Sequence, residues 1–181
     1  MDQKMKTLFE DSRSTDKERL YSSYLAILAA TEQPVNWAYE VWDGLVADLG
    51  HKDNHQRSRA AQYLANLAKS DPDKRMLEDF PRIWAVTKDE KFVTARHALQ
   101  SMWKIALAGP EQKALVTRHL SGRFHDCEEE KNGTLVRSDI LQNYRNIYDV
   151  QQDKELRQTA LELIESVEDP KYKKKYKAIW K

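Results

Sequence analysis

The sequence predicts an all-α fold, an α-solenoid in which antiparallel helical hairpins stack side by side. Apolar residues recur at helical spacing along nearly the whole chain, and strand signals are nearly absent. Like segments also return with a period in the high thirties of residues. A hairpin of that length cannot cover its own apolar face, so neighbours must cover it.

Ten helices are predicted, over roughly residues 2–11, 15–31, 35–49, 54–70, 73–87, 90–108, 110–125, 133–150, 153–167 and 170–180. The second carries Leu20, Tyr24, Ile27 and Leu28 on one face, and the third Val41, Leu45 and Leu49. Asn54 can cap the fourth, whose face is Ala60, Leu64, Leu67 and Ala68. Asp71-Pro72 opens the fifth, and Pro81 inside it is expected to kink it. Asp89 can cap the sixth, with Phe92, Leu99, Met102 and Ala106 on its face. Gly109-Pro110 starts the seventh, and Val136, Ile140, Tyr144 and Ile147 repeat the spacing in the eighth. Asp153 can cap the ninth, with Leu156, Ala160, Leu163 and Val167, and Asp169-Pro170 starts the tenth. Connections of three to six residues fold each helix back on its neighbour. Phe124 to Gly133 is the one longer loop candidate.

With 181 residues, the chain is expected to form a single repeat domain over 1–181 with terminal capping helices. Thirty basic and 29 acidic side chains leave a net charge of +1, so no bulk field draws in nucleic acid or anionic membrane. Charged residues make up 33% of the chain, which suits an array with more surface per residue than a sphere. One cysteine, Cys127, allows no intramolecular disulfide, and the segment MDQKMKTLFEDSRS has no apolar run of signal-peptide length. The longest apolar stretch, Tyr24 to Ala30, is too short to span a bilayer. A cytoplasmic protein is the expectation.

Two segments show the repeat best. DNHQRSRAAQYLANLAKSDP from Asp53 and DEKFVTARHALQSMWKIALAGP from Asp89 each begin with aspartate, pass through an alanine-rich helix and end at proline. In this pattern the chain resembles the HEAT and armadillo repeat families. Leu77, Phe80, Pro81, Ile83, Val86, Asp89 and Val93 follow the order of a first helix with internal proline, an aspartate turn and a second helix. Leu135, Val136, Arg137 and Ile140 match the second-helix portion, as do Leu156, Arg157, Ala160 and Leu161, and Arg59 with Ala60 and Ala61. Thr94 stands where the family's arginine is usual, and Gly44 near a kink proline. The resemblance spans about residues 35–168 and implies fold more than activity. Ala60, Ala61, Ala65 and Ala98 should let helix axes approach closely, and aspartates and arginines should form a ladder along the stack.

Five tryptophans stand out, of which Trp42 and Trp84 fit packing within apolar runs. Arg96, Gln100 and Trp103 share one stripe of a second-type helix, and the resemblance implies that such helices line a concave face. A binding stripe of Tyr63, Arg96, Gln100, Trp103 and Tyr144 is the candidate site. KYKKKYKAIWK, with Tyr172, Tyr176, Ile179 and Trp180 on one face, reads as a capping helix before it reads as a nucleic-acid contact. His125, Asp126, Cys127 and Glu128 to Glu130, with His119 nearby, read as a solvated acidic loop; no metal site, cofactor or catalytic residue is expected.

The expected function is a non-enzymatic scaffold holding a protein or peptide partner. The alternative is a nucleic-acid-binding protein similar to the HEAT-like DNA alkylation-repair glycosylases. That resemblance implies a tryptophan one helical turn from an aspartate, and no tryptophan here has Asp or Glu four residues later. Nucleic acid is therefore the less favoured partner, no membrane contact is expected, and the sequence leaves the oligomeric state open.

Overall fold

A computed structural model describes all 181 residues. It contains ten α-helices and no strand: α1 (Gln3–Asp11), α2 (Lys17–Ala30), α3 (Ala38–Asp48), α4 (Asn54–Leu67), α5 (Arg75–Val86), α6 (Phe92–Ala106), α7 (Pro110–Asp126), α8 (Gly133–Gln151), α9 (Lys154–Glu165) and α10 (Pro170–Lys177). Single 3-10 turns, Ala68–Ser70 and Ala178–Trp180, extend α4 and α10. No helix is long and apolar enough to cross a membrane.

Helix starts follow side-chain chemistry. The carboxylates of Asp2, Asp16, Asp53, Asp153 and Asp169 accept backbone N–H groups in the first turns of α1, α2, α4, α9 and α10. Asp53, one residue before the predicted Asn54, caps α4, which leaves the Asn54 amide to donate to Thr94 Oγ1 at 3.0 Å. Pro110 and Pro170 open α7 and α10, where a missing N–H costs nothing. Pro72 does not open α5. Lys74 adopts a left-handed φ of 56°, and Asp71 reaches over the turn to accept from the N–H groups of Arg75 (3.0 Å) and Met76 (2.7 Å). Pro81 lies on the exposed side of α5, and the helix continues through it to Val86.

The chain forms two compact units, Met1–Ser101 and Met102–Lys181, divided within α6. In the first, α1 packs on α2 and α3 on α4, while α2 meets α4 and α3 meets α5. First helices therefore stack on first helices and second on second. The core is Ile27, Trp42, Leu64, Leu67, Met76, Phe80 and Ile83, all fully buried. Ala60, Ala61 and Ala65 are buried in the seam, as small residues at close-packed axes should be. In the second unit α7 packs on α8, α8 on α9, and α10 on both α8 and α9, around Val116, Leu120, Phe124, Ile140, Ile147 and Ile164.

Polar links between hairpins carry the repeat period. Tyr24 donates to Gln62 Oε1 (2.8 Å), Asn66 to Thr31 Oγ1 (2.9 Å) and the Trp42 indole to Asp79 Oδ2 (2.8 Å), over separations of 38, 35 and 37 residues. In the second unit Lys113 donates to Asp153 (2.7 Å) and Tyr176 to the Thr134 carbonyl (2.9 Å), 40 and 42 residues apart. The expected Asp–Arg ladder has a bidentate rung at Arg57–Asp89, Nε to Oδ2 at 2.6 Å and Nη2 to Oδ1 at 2.9 Å. At Lys113–Asp153 lysine takes the arginine's place.

In the segment between α7 and α8 the acidic side chains Asp126 and Glu128 to Glu130 are exposed, as expected, around an ordered turn. Cys127 is fully buried, Arg123 holds Glu130 (Nη2 to Oε2, 2.7 Å), and Arg137 Nε donates to the Phe124 carbonyl at 2.8 Å. Both arginines are only 8% exposed, so their charges organise the turn from inside. Gly133 closes it so tightly that a Cβ there would lie 2.0 Å from the Cys127 carbonyl oxygen.

Candidate functional site on the second helices

The residues of the predicted stripe fall in different units and differ in exposure. Tyr63, in the first unit, is 2% exposed, its ring 5.9 Å from Phe9 and 6.1 Å from Tyr24. Tyr144, in the second, is 1% exposed, its hydroxyl 2.7 Å from Ser121 Oγ and donating to the Thr117 carbonyl at 3.0 Å. Neither ring offers surface to a partner. Both sit on the inward side of their helix, where a large ring gains most from leaving water. Arg96 is half-buried and Gln100 exposed on α6 in the first unit. Trp103, in the second, is half-buried, with the Lys104 ammonium 5.6 Å from its ring and its backbone N–H donating to Asn143 Oδ1 at 2.7 Å.

The other aromatic candidates pack. Trp42 is fully buried, whereas Trp84 is half-buried and stacks on Phe80 at 5.9 Å. Tyr176 is fully buried, and Trp180 lies 5.6 Å from Tyr148, so α10 and its 3-10 turn pack on α8. Lys173 and Lys177 pair with Glu165, which leaves Lys174 and Lys175 facing solvent.

On the first unit, α4 and α6 carry polar and basic outer stripes. The α4 stripe runs His55, Arg59 and Gln62, at i, i+4 and i+7, and the α6 stripe runs Val93, Arg96, His97 and Gln100. Neither helix contains a carboxylate. The first helix α3, by contrast, carries Glu40, Asp43 and Asp48 and no cation. On α4 itself Arg57 meets Asp89, and elsewhere in this unit Arg13 meets Asp48, Arg19 meets Asp11 and Arg75 meets Asp43. Arg59 donates instead to the neutral Gln56 amide oxygen at 2.7 Å. The Tyr24–Gln62 and Asn54–Thr94 bonds set α2, α4 and α6 side by side, and α2 adds Tyr21 and Leu25, 60% and 46% exposed. The absence of Asp and Glu from NHQRSRAAQYLANL and FVTARHALQSMWKIA is legible in the sequence, but it gains meaning only once both helices are known to share a face.

In the second unit a cleft of about 400 Å³ lies between α7 and α9, its walls including Lys113, Thr117, Arg118, Ser121 and Thr159, with Tyr144 at its floor. Another of about 480 Å³ lies beside Arg137, Asp169 and Tyr172. Ser121 is bonded only to Tyr144, whose proton burial holds more firmly than in water, so no base activates the serine. Burial likewise pushes the Cys127 thiol up, away from a reactive thiolate. No group of three or more His, Cys, Asp and Glu side chains is placed to hold a metal ion.

No protein-family model and no curated protein sequence matches the chain. Solved structures do. An engineered protein determined by a structural genomics consortium superposes with a TM-score of 0.54 at 14% identity, covering 99% of this chain and 88% of its own. A designed armadillo repeat protein, solved in complex with the peptide (KR)4, superposes with a TM-score of 0.50 at 12% identity, covering 97% of this chain and 98% of its own. At such identities the likeness is one of fold. The chain has the stacked-hairpin fold of HEAT/armadillo-type helical repeat proteins.

Proposed function

We propose that this protein is a non-enzymatic scaffold that binds a peptide segment of a partner on the outer stripes of its second helices. The observation that carries the reading is the division of labour along α6. Thr94, Ala95, Ala98, Leu99 and Ser101 are buried, while Val93, His97 and Gln100 are exposed with Arg96 half-buried between them. A rigid helix thus offers amide, guanidinium and apolar groups in register, which is how a scaffold selects an extended chain. The designed armadillo neighbour is in complex with a peptide, which makes a peptide the natural ligand class to test.

Selection of a displayed random-peptide library against the purified chain tests the proposal. Enriched peptides should bind with affinities on the order of micromolar. Gln100→Ala and Arg96→Ala should each weaken them by roughly 3–10-fold, equivalent to about 0.5–1.5 kcal/mol per lost hydrogen bond. Enriched peptides indifferent to both substitutions would refute the assignment of the site.

A further inference from the structure

We infer that the cleft between α7 and α9 in the second unit is a site for a small zwitterion, an amino acid with an apolar side chain; this goes beyond the scaffold reading and does not depend on it. Both helices pack on α8, and the space left between them is about 400 Å³. Small-molecule sites occupy roughly 300–1,000 Å³. Four charged residues line the cleft, Lys113 and Arg118 from α7, Asp153 and Glu155 from the start of α9. One pair is already spent: Lys113 donates to Asp153 Oδ2 at 2.7 Å and to Gln151 Oε1 at 3.0 Å, while Asp153 Oδ1 accepts the N–H groups of Glu155 and Leu156. That bridge ties the two walls together near the N-terminal ends of both helices. Arg118 stands five residues further along α7, about 7.5 Å at 1.5 Å per residue. Its guanidinium and the Glu155 carboxylate are exposed, on opposite walls, and neither is held by a hydrogen bond or ion pair.

The hydroxyl groups of the cleft sharpen the reading, because each has a single proton to give. Thr117 gives its proton to the Lys113 carbonyl at 2.8 Å, and Thr159 to the Glu155 carbonyl at 3.1 Å. Tyr144 gives its proton to the Thr117 carbonyl at 3.0 Å, so the 2.7 Å contact between Tyr144 and Ser121 is made by the serine's proton. Thr117, Ser121 and Thr159 are therefore left with lone pairs to accept with and no proton to offer. A ligand ammonium satisfies these acceptors and Glu155, and a ligand carboxylate matches the planar fork of Arg118. Ala114 and Leu156 add apolar wall between them. A bare carboxylate or phosphate fits less well, since Asp153 and Glu155 share the cleft, and a bare amine leaves Arg118 unmatched. Two cations and two anions balance, which suits a ligand whose own charges cancel.

Titration of the isotope-labelled full chain with L-leucine, followed by amide NMR spectra, tests the inference. Leucine should shift the signals of Ala114, Thr117, Leu156 and Thr159 with a dissociation constant on the order of 0.1–1 mM, as a ligand of its size allows. Isocaproate, which is leucine without the ammonium, and isoamylamine, which is leucine without the carboxylate, should each bind about tenfold or more weakly. Arg118→Gln should weaken leucine about three- to tenfold and erase its advantage over isoamylamine, and Glu155→Gln should do the same against isocaproate. Arg157→Gln, the same charge loss at an exposed position of α9 outside the cleft, should leave the affinity unchanged, and the thermal melts of all three variants should match the parent. Equal binding of isocaproate or isoamylamine overturns the zwitterion in favour of a singly charged ligand. Equal or tighter binding of N-acetyl-leucinamide, an uncharged stand-in for leucine within a chain, overturns the free amino acid. Shifts confined to other helices, or indifference to both Arg118→Gln and Glu155→Gln, overturn the location, and the absence of any shift at millimolar leucine overturns the inference outright.

Discussion

Replacing Gly133 with alanine should be among the most damaging single-methyl changes in this protein, while the same change at Gly44 should be stabilising. A Cβ at Gly133 would lie 2.0 Å from the carbonyl oxygen of Cys127 and 3.1 Å from that of Glu128, whereas ordinary contact begins at 3.4 Å. The turn must therefore open by about 1.4 Å, and both obstructing atoms belong to backbone. That backbone is held by Arg137 on the Phe124 carbonyl and by Arg123 on Glu130. Losing two charge-assisted hydrogen bonds, at about 1.5–3 kcal/mol each, sets the cost at roughly 3–6 kcal/mol. For a chain of this size that is a fall in melting temperature of about 10 °C or more. Gly44 lies on the exposed side of α3 with nothing within 4 Å of a new Cβ, so alanine there gains only helix propensity, about 0.5–1 kcal/mol. Urea and thermal unfolding of both variants, followed by far-ultraviolet circular dichroism, check the opposite signs. A Gly133→Ala variant within about 1 kcal/mol of the parent would refute the claim that buried arginines fix this turn.

Three further outcomes follow from the packing. Leu64 is fully buried in the seam of α4, and Leu64→Ala should cost about 2–5 kcal/mol in denaturant melts; a change below about 1 kcal/mol would remove it from the core. The Arg57 guanidinium beside Asp89 holds that carboxyl below its ordinary range. Because the folded value lies below the unfolded one, the stabilisation is complete above about pH 4 and fades as pH falls through the folded value. Asp89→Asn should accordingly flatten the acid limb of the stability–pH curve, and an unchanged limb would show that the rung adds nothing. Tyr176→Phe should cost about 0.5–1.5 kcal/mol through the lost bond to the Thr134 carbonyl, and Tyr176→Ala about 3–5 kcal/mol through the emptied space, measured as loss of protection in hydrogen exchange along α8 and α10.

Much of this fold is local in origin. Each helix repeats apolar residues at a spacing set by covalent geometry, so ten periodic runs became ten helices with ends displaced by a few residues. The displaced ends have neighbours as their cause. α3 begins at Ala38 instead of residue 35, and the Val35 N–H donates to Ser70 Oγ in the 3-10 turn that ends α4. α5 begins at Arg75 because Asp71 caps it across a left-handed Lys74, while Asp71 also accepts the Tyr39 hydroxyl at 2.5 Å; burial and that carboxylate push the hydroxyl up to about 12. The acidic run after α7 is exposed as its composition suggests, but the ion pairs that Arg123 and Arg137 make with Glu130 and Glu128 form only because the turn brings α7 and α8 together.

Amphipathic pattern alone determined the class of fold, the number of helices and the order in which they turn back. It placed Gln100 on the outside, where the structure has it, and counted Tyr144 both on the apolar face of α8 and in the binding stripe; it could not assign Tyr63 to the interior, because a helical wheel gives the angle between two side chains and not which neighbour fills the space beside them. That assignment was made by neighbours on other helices, Phe9 and Tyr24 beside the ring of Tyr63 and Thr117 and Ser121 at the hydroxyl of Tyr144. The same stacking set α2 beside α4 and α4 beside α6 through the Tyr24–Gln62 and Asn54–Thr94 bonds, since side chains 38 and 40 residues apart along a chain meet only when folding packs one helix against another.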